Sequence, residues 1–408
     1  MADEGGETGS SNGEQQHQTD SANNIFMKRK IFNDPIHGTM EIHPVCVRIM
    51  DTPQFQRLRH IKQLDACYMV YPGASHNRFE HSIGVSYLAG KLLKTIKEQQ
   101  PEENISERDI LCVEIAGLCH DLGQGPFSHV FEKRFMPSVE KEFKHQAMAR
   151  KMFDDMLEST VLKEDIQRIL GECNIQGLRE FTEDDFTFIK EMIDVPRQLE
   201  QQGSWPYKGR EENKSYMYEI VANGRNGIDV DRWDYLARDS YMLGLKINFD
   251  YNRCFATARV LKCDGLERKQ ICYREKEAHG LISMFYTRMT LYRQAYQHKT
   301  HSAIGMMIYD ALKDANDKIE IAGKSISDAV DDTKAFTLLT DDMILTILNP
   351  LLSVTPFKKP GSGDPTKAKK ILDNIYKRNL YKFVTELHIP VNNVVINIFY
   401  PSLLIKEI

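Results

Sequence analysis

The sequence predicts a mostly α-helical fold with a few short strands, and three stretches carry that prediction. Residues 82–99 and 277–297 repeat apolar side chains at helical spacing, and residues 106–120 run through an apolar stretch into His120-Asp121. This spacing places the apolar side chains along one face of a helix. The stretch at 106–120 opens with Ser106 and Glu107, which is a typical helix start. We therefore expect helices to form the core and to position any functional site.

The N-terminal end precedes these helices and has a different composition. Residues 1–24 are rich in Gly, Ser, Asn, Gln and Glu and contain no aromatic side chain. Such a composition cannot bury a core, so we expect a disordered tail over residues 1–27. The basic run at 28–30 is either a solvated charge cluster, which is the simpler interpretation, or a nuclear-import patch.

Three further patterns complete the predicted organisation. Apolar residues recur every third position from Phe55 to Leu64, which adds a helical segment there. The best strand signals are short and lie at 270–273 and 393–399. The segment 349–367 is rich in Pro, Gly and Lys, so we predict a mobile surface loop. We expect one principal domain over 28–345 and a loop with further C-terminal chain over 346–408.

Composition excludes several classes of partner. The chain has 53 basic and 58 acidic residues, and its net charge of −5 argues against a general attraction to nucleic acid. The eight cysteines form no CxxC pair, which favours reduced thiols in a nuclear or cytoplasmic protein. No apolar run reaches the roughly 18–20 residues of a membrane helix, so we expect no membrane partner.

Three segments carry side chains that bind metals. They contain His81, the pair His120-Asp121, and Asp231. Two imidazoles and two carboxylates make a mixed nitrogen and oxygen site suited to Fe, Mn, Zn or Ni. Two glycines follow the His-Asp pair within four residues, and we expect them to let the backbone turn sharply.

The order His…His-Asp…Asp resembles the HD superfamily of metal-dependent phosphohydrolases. The runs Asn33–Gly38, Asp51–Leu64, Gly73–His81 and Trp205–Lys208 extend the resemblance to the vertebrate SAM- and HD-domain deoxynucleoside triphosphate triphosphohydrolases. The resemblance covers roughly residues 28–340. It implies a helical HD phosphohydrolase domain over 28–345, a transition metal (Zn, Fe or Mn) with Mg²⁺, and hydrolysis of a dNTP to deoxynucleoside and triphosphate. Compared with that family, the chain is expected to lack the SAM domain and a C-terminal lobe.

The resemblance also implies roles for individual residues. The metal ligands would be His81, His120, Asp121 and Asp231. His129 would protonate the leaving 5′-oxygen, with His145 as a further catalytic histidine. The substrate contacts would be Gln63, Leu64, Arg78, Arg232, Tyr235, Asp239, Arg288, Tyr296 and Gln297. Leu64 would leave no room for a 2′-hydroxyl.

The family is also activated by nucleotides bound between the subunits of a homo-oligomer, a tetramer in its active form. The resemblance therefore implies GTP or dGTP as activator. A first nucleotide site would use Lys30, Asp51, Gln56 and Arg59. A second would use Arg253, Arg274, Lys276, His298 and Lys299.

The chain departs from the family at several of these places. Gln124 stands where the family has a phosphate-contacting histidine, and Gln146 stands where it has a glutamate beside the catalytic histidine. Glutamine cannot titrate, so neither position can shuttle a proton. Asp65 replaces a glycine beside the sugar site and adds a negative charge there, while Gly280 and Gln294 remove contacts at the activator site.

Three functions remain open at this point. The first is an active dNTP triphosphohydrolase, which the complete set of metal ligands favours. The second is a metal- and nucleotide-binding regulatory homologue with impaired catalysis, which Gln124 and Gln146 favour. The third is a module that binds single-stranded nucleic acid, against which the acidic net charge argues.

Overall fold

The computed structural model describes residues 29–159, 161–173, 175–195, 205–246, 249–262, 268–348, 366–389 and 394–400. The predicted tail and nearly all of the predicted loop at 349–367 lie outside these ranges. Within them the chain is mostly helical with short strands, so the predicted fold class is confirmed.

The helices of the described chain carry the labels used below. They are α1 Pro44–Met50, α2 Pro53–Gln56, α3 Arg78–Gln99, α4 Glu107–Cys119, α5 Met136–Ser138, α6 His145–Ser159, α7 Leu162–Glu172, α8 Glu183–Ile193, α9 Val230–Met242, α10 Tyr251–Thr257, α11 Ala278–Leu291, α12 Lys299–Ala315, α13 Thr333–Leu338, α14 Met343–Leu348 and α15 Thr366–Tyr376. Short 3₁₀ turns lie at Arg57–His60, Cys67–Met69, Pro101–Glu103, Glu212–Glu219, Glu275–Glu277 and Asp328–Asp331. Single π-helical turns lie at Phe131–Phe135 and Tyr292–Tyr296.

The strands form three separate antiparallel pairs. They are β1 Lys30–Asp34 with β2 Gly38–Ile42, β3 Arg259–Lys262 with β4 Lys269–Cys272, and β5 Lys382–Ile389 with β6 Val394–Tyr400. The strands predicted at 270–273 and 393–399 correspond to β4 and β6, so both predictions are confirmed.

Helix α3 runs through the core and packs against α4 and α9. Its predicted apolar stripe is buried, including Ile83, Leu88 and Leu92. At Gly84 a Cβ atom would lie 1.9 Å from the Asp234 Oδ1 atom of α9. Because no side chain fits into that distance, glycine is what lets α3 approach α9 closely at this point.

Helix α9 is held on its other side by α11. Trp233 of α9 is fully buried, and its indole Nε1–H donates to the Met284 sulfur of α11 at 3.1 Å. Its ring also packs against Phe255, with 4.9 Å between the ring centroids. Helix α9 is therefore fixed between α3 and α11.

The segment with apolar residues at every third position forms a tighter structure than an α-helix. Helix α2 lasts one turn, and a 3₁₀ turn follows at Arg57–His60 before Ile61 becomes extended. A repeat of three matches the 3.0 residues per turn of a 3₁₀ helix. Phe55, Leu58 and Ile61 are all buried, so the repeat identifies the core-facing side correctly.

The apolar stripe predicted over 277–297 is helical but does not face the core. Along α11, Ile282 is 50% exposed, Phe285 41%, Tyr286 62% and Met289 44%. Only Met284 and Leu291 of this helix are buried. Periodicity therefore predicted the helix correctly, while the side that carries most of its large apolar residues lies at the surface.

Two smaller expectations can be compared with the structure. No helix among the described residues is long and apolar enough to cross a membrane. The seven cysteines within the described ranges are free thiols, and Cys112 and Cys119 are buried in α4 as core residues.

Candidate metal centre and its surroundings

Three helices bring the predicted metal ligands together. His81 lies in the first turn of α3, and His120 directly follows the last residue of α4. Asp231 lies in the first turn of α9, whose start is capped by Asp229 accepting the Arg232 N–H at 2.9 Å. The ends of the three helices therefore meet at one place.

The ligand atoms lie at mutual distances that one ion can bridge. The candidate donor atoms of His81, His120 and Asp121 all lie within 4.8 Å of one another. Asp231 Oδ1 completes the group, at 3.1 Å from His81 Nε2 and 3.6 Å from His120 Nε2. Two imidazole nitrogens and two carboxylates are therefore close together, and their role as metal ligands stays a prediction.

A further observation supports a divalent metal at this donor set. The Nε2 atoms of His81 and His120 are buried and make no hydrogen bond within the described structure. Leaving a buried polar atom without a partner costs free energy unless something else binds it. Two such nitrogens that face two carboxylates are the arrangement a metal ion satisfies.

The opposite ring nitrogens fix the tautomers that metal binding needs. His120 Nδ1 lies 2.7 Å from the Gly117 carbonyl oxygen, which can only accept, so Nδ1 carries the proton. His81 Nδ1 lies 2.7 Å from Asp234 Oδ2. In both rings the Nε2 lone pair is therefore free to face the centre.

Asp234 is a functional residue that the sequence analysis did not assign. Its carboxylate also accepts from His37 Nε2 at 2.6 Å and from Arg238 at 2.9 Å, and Arg238 in turn pairs with Asp34. Asp231, Asp234 and Arg238 are spaced by three and four residues, which puts them on one face of α9. That spacing is a signal from which Asp234 could have been found.

Arg78 supports the second carboxylate ligand. It is buried, and its guanidinium donates to Asp121 Oδ2 at 2.8 Å, to Ser128 Oγ at 3.1 Å and to the Gln63 carbonyl at 3.2 Å. Burial alone would raise the pKa of Asp121, but Arg78 holds it well below its ordinary value. Arg78 therefore keeps a metal ligand ionised, beyond the phosphate contact that the resemblance implies.

The chain turns directly after His120-Asp121, as expected. Gly123 and Gly125 do not adopt left-handed backbone angles in this loop, so the turn does not depend on that property of glycine. Gly123 is needed for close approach instead, because its Cβ would lie 2.0 Å from the His145 carbonyl oxygen. The left-handed residues are Phe127 and Ser128, directly before His129.

His129 and Asp65 lie next to each other. The His129 side chain is 57% exposed, and its backbone N–H donates to Asp65 Oδ1 at 3.2 Å. Burial raises the pKa of the Asp65 carboxyl to about 7, although Arg78 opposes that shift. The extra acidic group therefore binds the loop of His129 and carries much less negative charge near pH 7 than an exposed aspartate.

His145 begins α6 and has a carboxylate partner that the sequence analysis missed. Its Nδ1 atom lies 2.9 Å from Glu132 Oε2. Glu132 follows His129 by three residues, so one helical turn separates the two. Gln146 is partly buried beside His145.

Gln124 contacts the metal centre through its side chain. Its amide Nε2 donates to Asp121 Oδ1 at 3.0 Å, while its backbone carbonyl accepts from the buried Arg57 at 2.7 Å. The amide therefore takes a hydrogen-bonding position beside a metal ligand.

Two of the predicted substrate residues, Tyr235 and Asp239, lie on α9 beyond the candidate ligand Asp231, and two others contact them. Asp231, Tyr235 and Asp239 follow one another at intervals of four, so they share a face of the helix. Arg288 Nε donates to the Tyr235 hydroxyl at 3.3 Å, and the Tyr296 hydroxyl donates to Asp239 Oδ2. The structure therefore joins four substrate candidates into one cluster that continues from the metal centre.

Four other substrate candidates lie around this cluster. Gln63 is buried with its Oε1 atom unpartnered, and Leu64 packs partly buried against the core. The Arg232 guanidinium lies 5.5 Å from the Phe285 ring, and its buried Nε atom has no hydrogen-bond partner among the described residues. Gln297 is partly buried directly after Tyr296.

The first set of predicted activator residues lies on three segments of the chain, β1, the end of α1, and the segment of α2 and the 3₁₀ turn that follows it. Lys30 opens β1, and Asp51 is exposed at the end of α1. Arg59 donates to Gln56 Oε1 at 2.8 Å, and its guanidinium lies 3.4 Å from the Phe79 ring centroid. Arg59 therefore has both a polar partner and a stacking partner.

In the second set of predicted activator residues, one cation contacts an acidic residue and another contacts an aromatic ring. Arg253 pairs with Glu277 at 3.0 Å, and Arg274 and Lys276 are exposed nearby in sequence. His298 caps α12, and the Lys299 ammonium lies 4.2 Å from the Phe383 ring centroid.

Comparison with known proteins places this geometry in a family. The HD domain profile matches residues 78–239, which contain all four ligand candidates. The deoxynucleoside triphosphate triphosphohydrolase SAMHD1 of Homo sapiens is 52% identical over 365 residues, covering 88% of this chain and 55% of that protein. Its Xenopus laevis counterpart is 50% identical over 377 residues, covering 88% and 56%.

A more distant relative is matched over more of its length. The putative HD domain-containing protein L394 of Acanthamoeba polyphaga mimivirus is 32% identical over 377 residues, covering 88% of this chain and 74% of that protein. The chain spans about half the length of the human and frog relatives that it matches. An HD domain implies a divalent metal, which agrees with the grouping of His81, His120 and Asp121.

Proposed function

This chain belongs to the HD domain family, and from that premise we propose that it is a metal-dependent dNTP triphosphohydrolase. The substrate class comes from the relatives, which are named for this activity and are about 50% identical over 88% of the chain. The observation that carries the proposal is the continuous arrangement of a metal centre and a polar substrate cluster along α9.

The proposed reaction adds water across the bond between the α-phosphorus and the 5′-oxygen. The bond breaks, the 5′-oxygen leaves with a proton as part of the deoxynucleoside, and the triphosphate remains intact. His129 is the proposed proton donor, because its exposed ring lies on the loop that follows the metal ligands. Glu132 would orient His145, whose Nδ1 it contacts.

The metal centre would be formed by His81, His120, Asp121 and Asp231. A bound divalent metal supplies a water of lowered pKa and polarises a phosphoryl oxygen. We propose Zn, Fe or Mn at this centre, because the donor set mixes imidazole nitrogen with carboxylate oxygen. Mg²⁺ would accompany the triphosphate, since it prefers phosphate oxygens and water.

Arg288 and Arg232 are the cations available to the triphosphate. Arg288 is exposed and makes one side-chain contact to Tyr235, so part of its guanidinium can bind phosphate. Arg78 is already engaged by three protein groups and would act mainly through Asp121. Gln63 and Leu64 would contact the deoxyribose, with Leu64 excluding a 2′-hydroxyl by its volume.

We also propose activation by GTP or dGTP in a homo-oligomer. The stacked Arg59 and the Lys30 and Gln56 side chains offer charge, hydrogen bonds and an aromatic neighbour to one nucleotide. The exposed apolar side of α11 supports self-association, because a surface of several neighbouring large apolar residues often marks an interface.

The proposal is tested by incubating the purified protein with Mg²⁺, Mn²⁺, GTP and each dNTP. Chromatography should show deoxynucleoside and triphosphate as the only products, in equal amounts. Leu64→Gly should additionally hydrolyse GTP, while the parent should not. Release of pyrophosphate or single phosphate, or a complete lack of turnover with metal bound, would overturn the proposed activity.

A second candidate function is a catalytically impaired regulatory homologue, and Gln124 is the observation that favours it. Its amide donates to Asp121 but cannot carry a proton or a positive charge. The double change Gln124→His with Gln146→Glu separates the two functions. For a weakened enzyme, kcat should rise by at least ~10-fold with unchanged metal content, because general acid–base groups are being restored. A variant that binds metal and dNTP and still turns nothing over would favour the regulatory function.

A further inference from the structure

The backbone directly before His129 is held in a conformation that ordinary residues avoid. Phe127 has a φ angle of 53° and Ser128 one of 41°, and neither is glycine. Non-glycine residues in the left-handed region are strained and persist only where their surroundings enforce that conformation. Something around this turn must therefore hold it.

One carboxylate, far away in the sequence, holds the turn. Asp341 Oδ1 accepts the backbone N–H of Phe127 at 2.6 Å, and its Oδ2 atom accepts the backbone N–H of Lys62 at 2.8 Å. Two backbone N–H groups therefore depend on one carboxyl group for their hydrogen bonds, and leaving either without a partner would cost free energy. Asp341 thus ties the turn before His129 to the segment that leads into Gln63 and Leu64.

The two segments also contact each other, so the carboxylate closes a small network. Ser128 Oγ donates to the Lys62 carbonyl at 3.3 Å and accepts from Arg78 Nε at 3.1 Å. The His129 N–H donates to Asp65 at 3.2 Å. Residues 62–65 and 127–129 are therefore fixed to one another through backbone groups, and Asp341 contacts both from outside.

A second connection runs from the same region to the same loop. The buried Arg57 donates to the Leu339 carbonyl at 3.0 Å and to the Gln124 carbonyl at 2.7 Å. Its guanidinium also lies 4.2 Å from the Phe336 ring of α13. The chain at 336–341 lies about a hundred residues beyond the HD domain match. It contacts the loop before His129 directly through Asp341, and it reaches Gln124 indirectly through Arg57.

We propose that Asp341 is a positioning residue for His129. It touches neither the metal ligands nor the proposed substrate residues with its side chain. It acts through the left-handed turn, by setting where the His129 imidazole and the Gln63-Leu64 backbone stand relative to each other. This inference rests on the proposed function, because it concerns the histidine that would protonate the leaving oxygen.

The test is Asp341→Asn, which keeps the shape but replaces one acceptor oxygen with a donor. The expected result is a kcat lower by at least ~10-fold, because a displacement of about 1 Å can cost 10²-fold in rate. Metal content should stay within twofold of the parent, since the ligands are untouched. KM should change less than kcat, since the substrate cations Arg232 and Arg288 are untouched. The matched control is Asp342→Asn, whose exposed carboxylate pairs with His60 and should leave kcat unchanged.

A double-mutant cycle distinguishes positioning from general damage. In a His129→Ala background, Asp341→Asn should lower kcat by less than twofold, because the group that it positions is already gone. A full loss in both backgrounds, or equal losses in metal content, would overturn the proposal and indicate a structural role.

Hydrogen–deuterium exchange keeps the inference testable even if no hydrolysis is found. The Phe127 and Lys62 amides should exchange slowly in the parent and faster in Asp341→Asn, with no change in Asp342→Asn. Fast exchange of both amides in the parent would overturn the inference, whether or not the variant folds. An inactive parent with protected amides would instead contradict the proposed function and leave the Asp341 contacts supported.

Discussion

The metal centre and the outer side of α11 both carry proposed functional residues, but they differ in how completely the described residues surround them. At the metal centre, His81, His120 and Asp121 are largely buried, and each has a second partner on its outer side. On α11, Arg288, Tyr286 and Met289 are exposed. The fold therefore preorganises the candidate metal-binding half, while the α11 half leaves large apolar side chains exposed.

The largest expected effect is the loss of bound metal when two candidate ligands are removed. His120→Ala combined with Asp121→Ala deletes one nitrogen and one carboxylate of the four donors. Bound metal, measured by elemental analysis after dialysis, should fall from about one per chain to a trace. Self-association through α11 should persist. Full retention of metal would show that the ion binds elsewhere and would remove the basis of the comparison.

A smaller loss of metal affinity is expected when the hydrogen-bond partner of a candidate ligand is changed. Asp234→Asn takes from His81 the carboxylate that fixes its tautomer. Metal affinity, measured by competition with a chelator, should fall by about 10–100-fold, the usual result of removing such a partner. The control is Asp34→Asn, which also deprives Arg238 of a carboxylate but leaves the His81 contact intact. Equal losses of affinity in the two variants would assign the effect to Arg238.

The next prediction concerns the exposed half. Tyr286→Ser with Met289→Ser removes two large apolar groups that lie three residues apart on α11. The dissociation constant for self-association in the presence of GTP, measured by light scattering, should rise by at least ~10-fold, as expected for residues at the centre of an interface. Metal content should not change. An unchanged molar mass would mean that this side of α11 binds something other than a second copy.

The smallest effect is a dependence of stability on pH. The pKa of Asp65 is raised by burial to about 7 in the folded chain, against roughly 4 when unfolded. The folded state therefore holds a proton that the unfolded state releases, and Asp65 makes the protein less stable as the pH rises from about 4 to 7. Asp65→Asn should gain stability relative to the parent from pH 5 to 8 in urea titrations. A constant difference between the two proteins would contradict the raised pKa.

The two halves also differ in what the sequence could predict. The ligands were predictable because His81, the His120-Asp121 pair and Asp231 stand in a distinctive order. Several contacts around the ligands were not predictable, because His37 and Asp234 lie 197 residues apart, and Phe127 and Asp341 lie 214 apart. A single sequence carries no signal for such pairs, whereas Asp234 and Glu132 could have been found from helical spacing.

On α11, the periodicity of apolar residues also could not predict whether the apolar side is buried. The recurrence of apolar residues predicted a helix with one apolar side, and the helix is there. A repeat specifies which residues share a side, but it does not say whether that side packs against the same chain or remains at the surface. Likewise, glycines after a His-Asp pair suggested a turn, while the structure needs Gly123 for the close approach of α6.

Because Trp233 is buried within α9 beside the candidate metal centre, its fluorescence should report metal binding. The sequence contains two tryptophans, and Trp233 lies two residues after a proposed metal ligand. A paramagnetic ion such as Mn²⁺ bound at the centre should quench its emission, whereas Zn²⁺ should not. Replacing Trp205 by phenylalanine would leave Trp233 as the single emitter. Metal loading could then be followed continuously by fluorescence, without a label and without turnover.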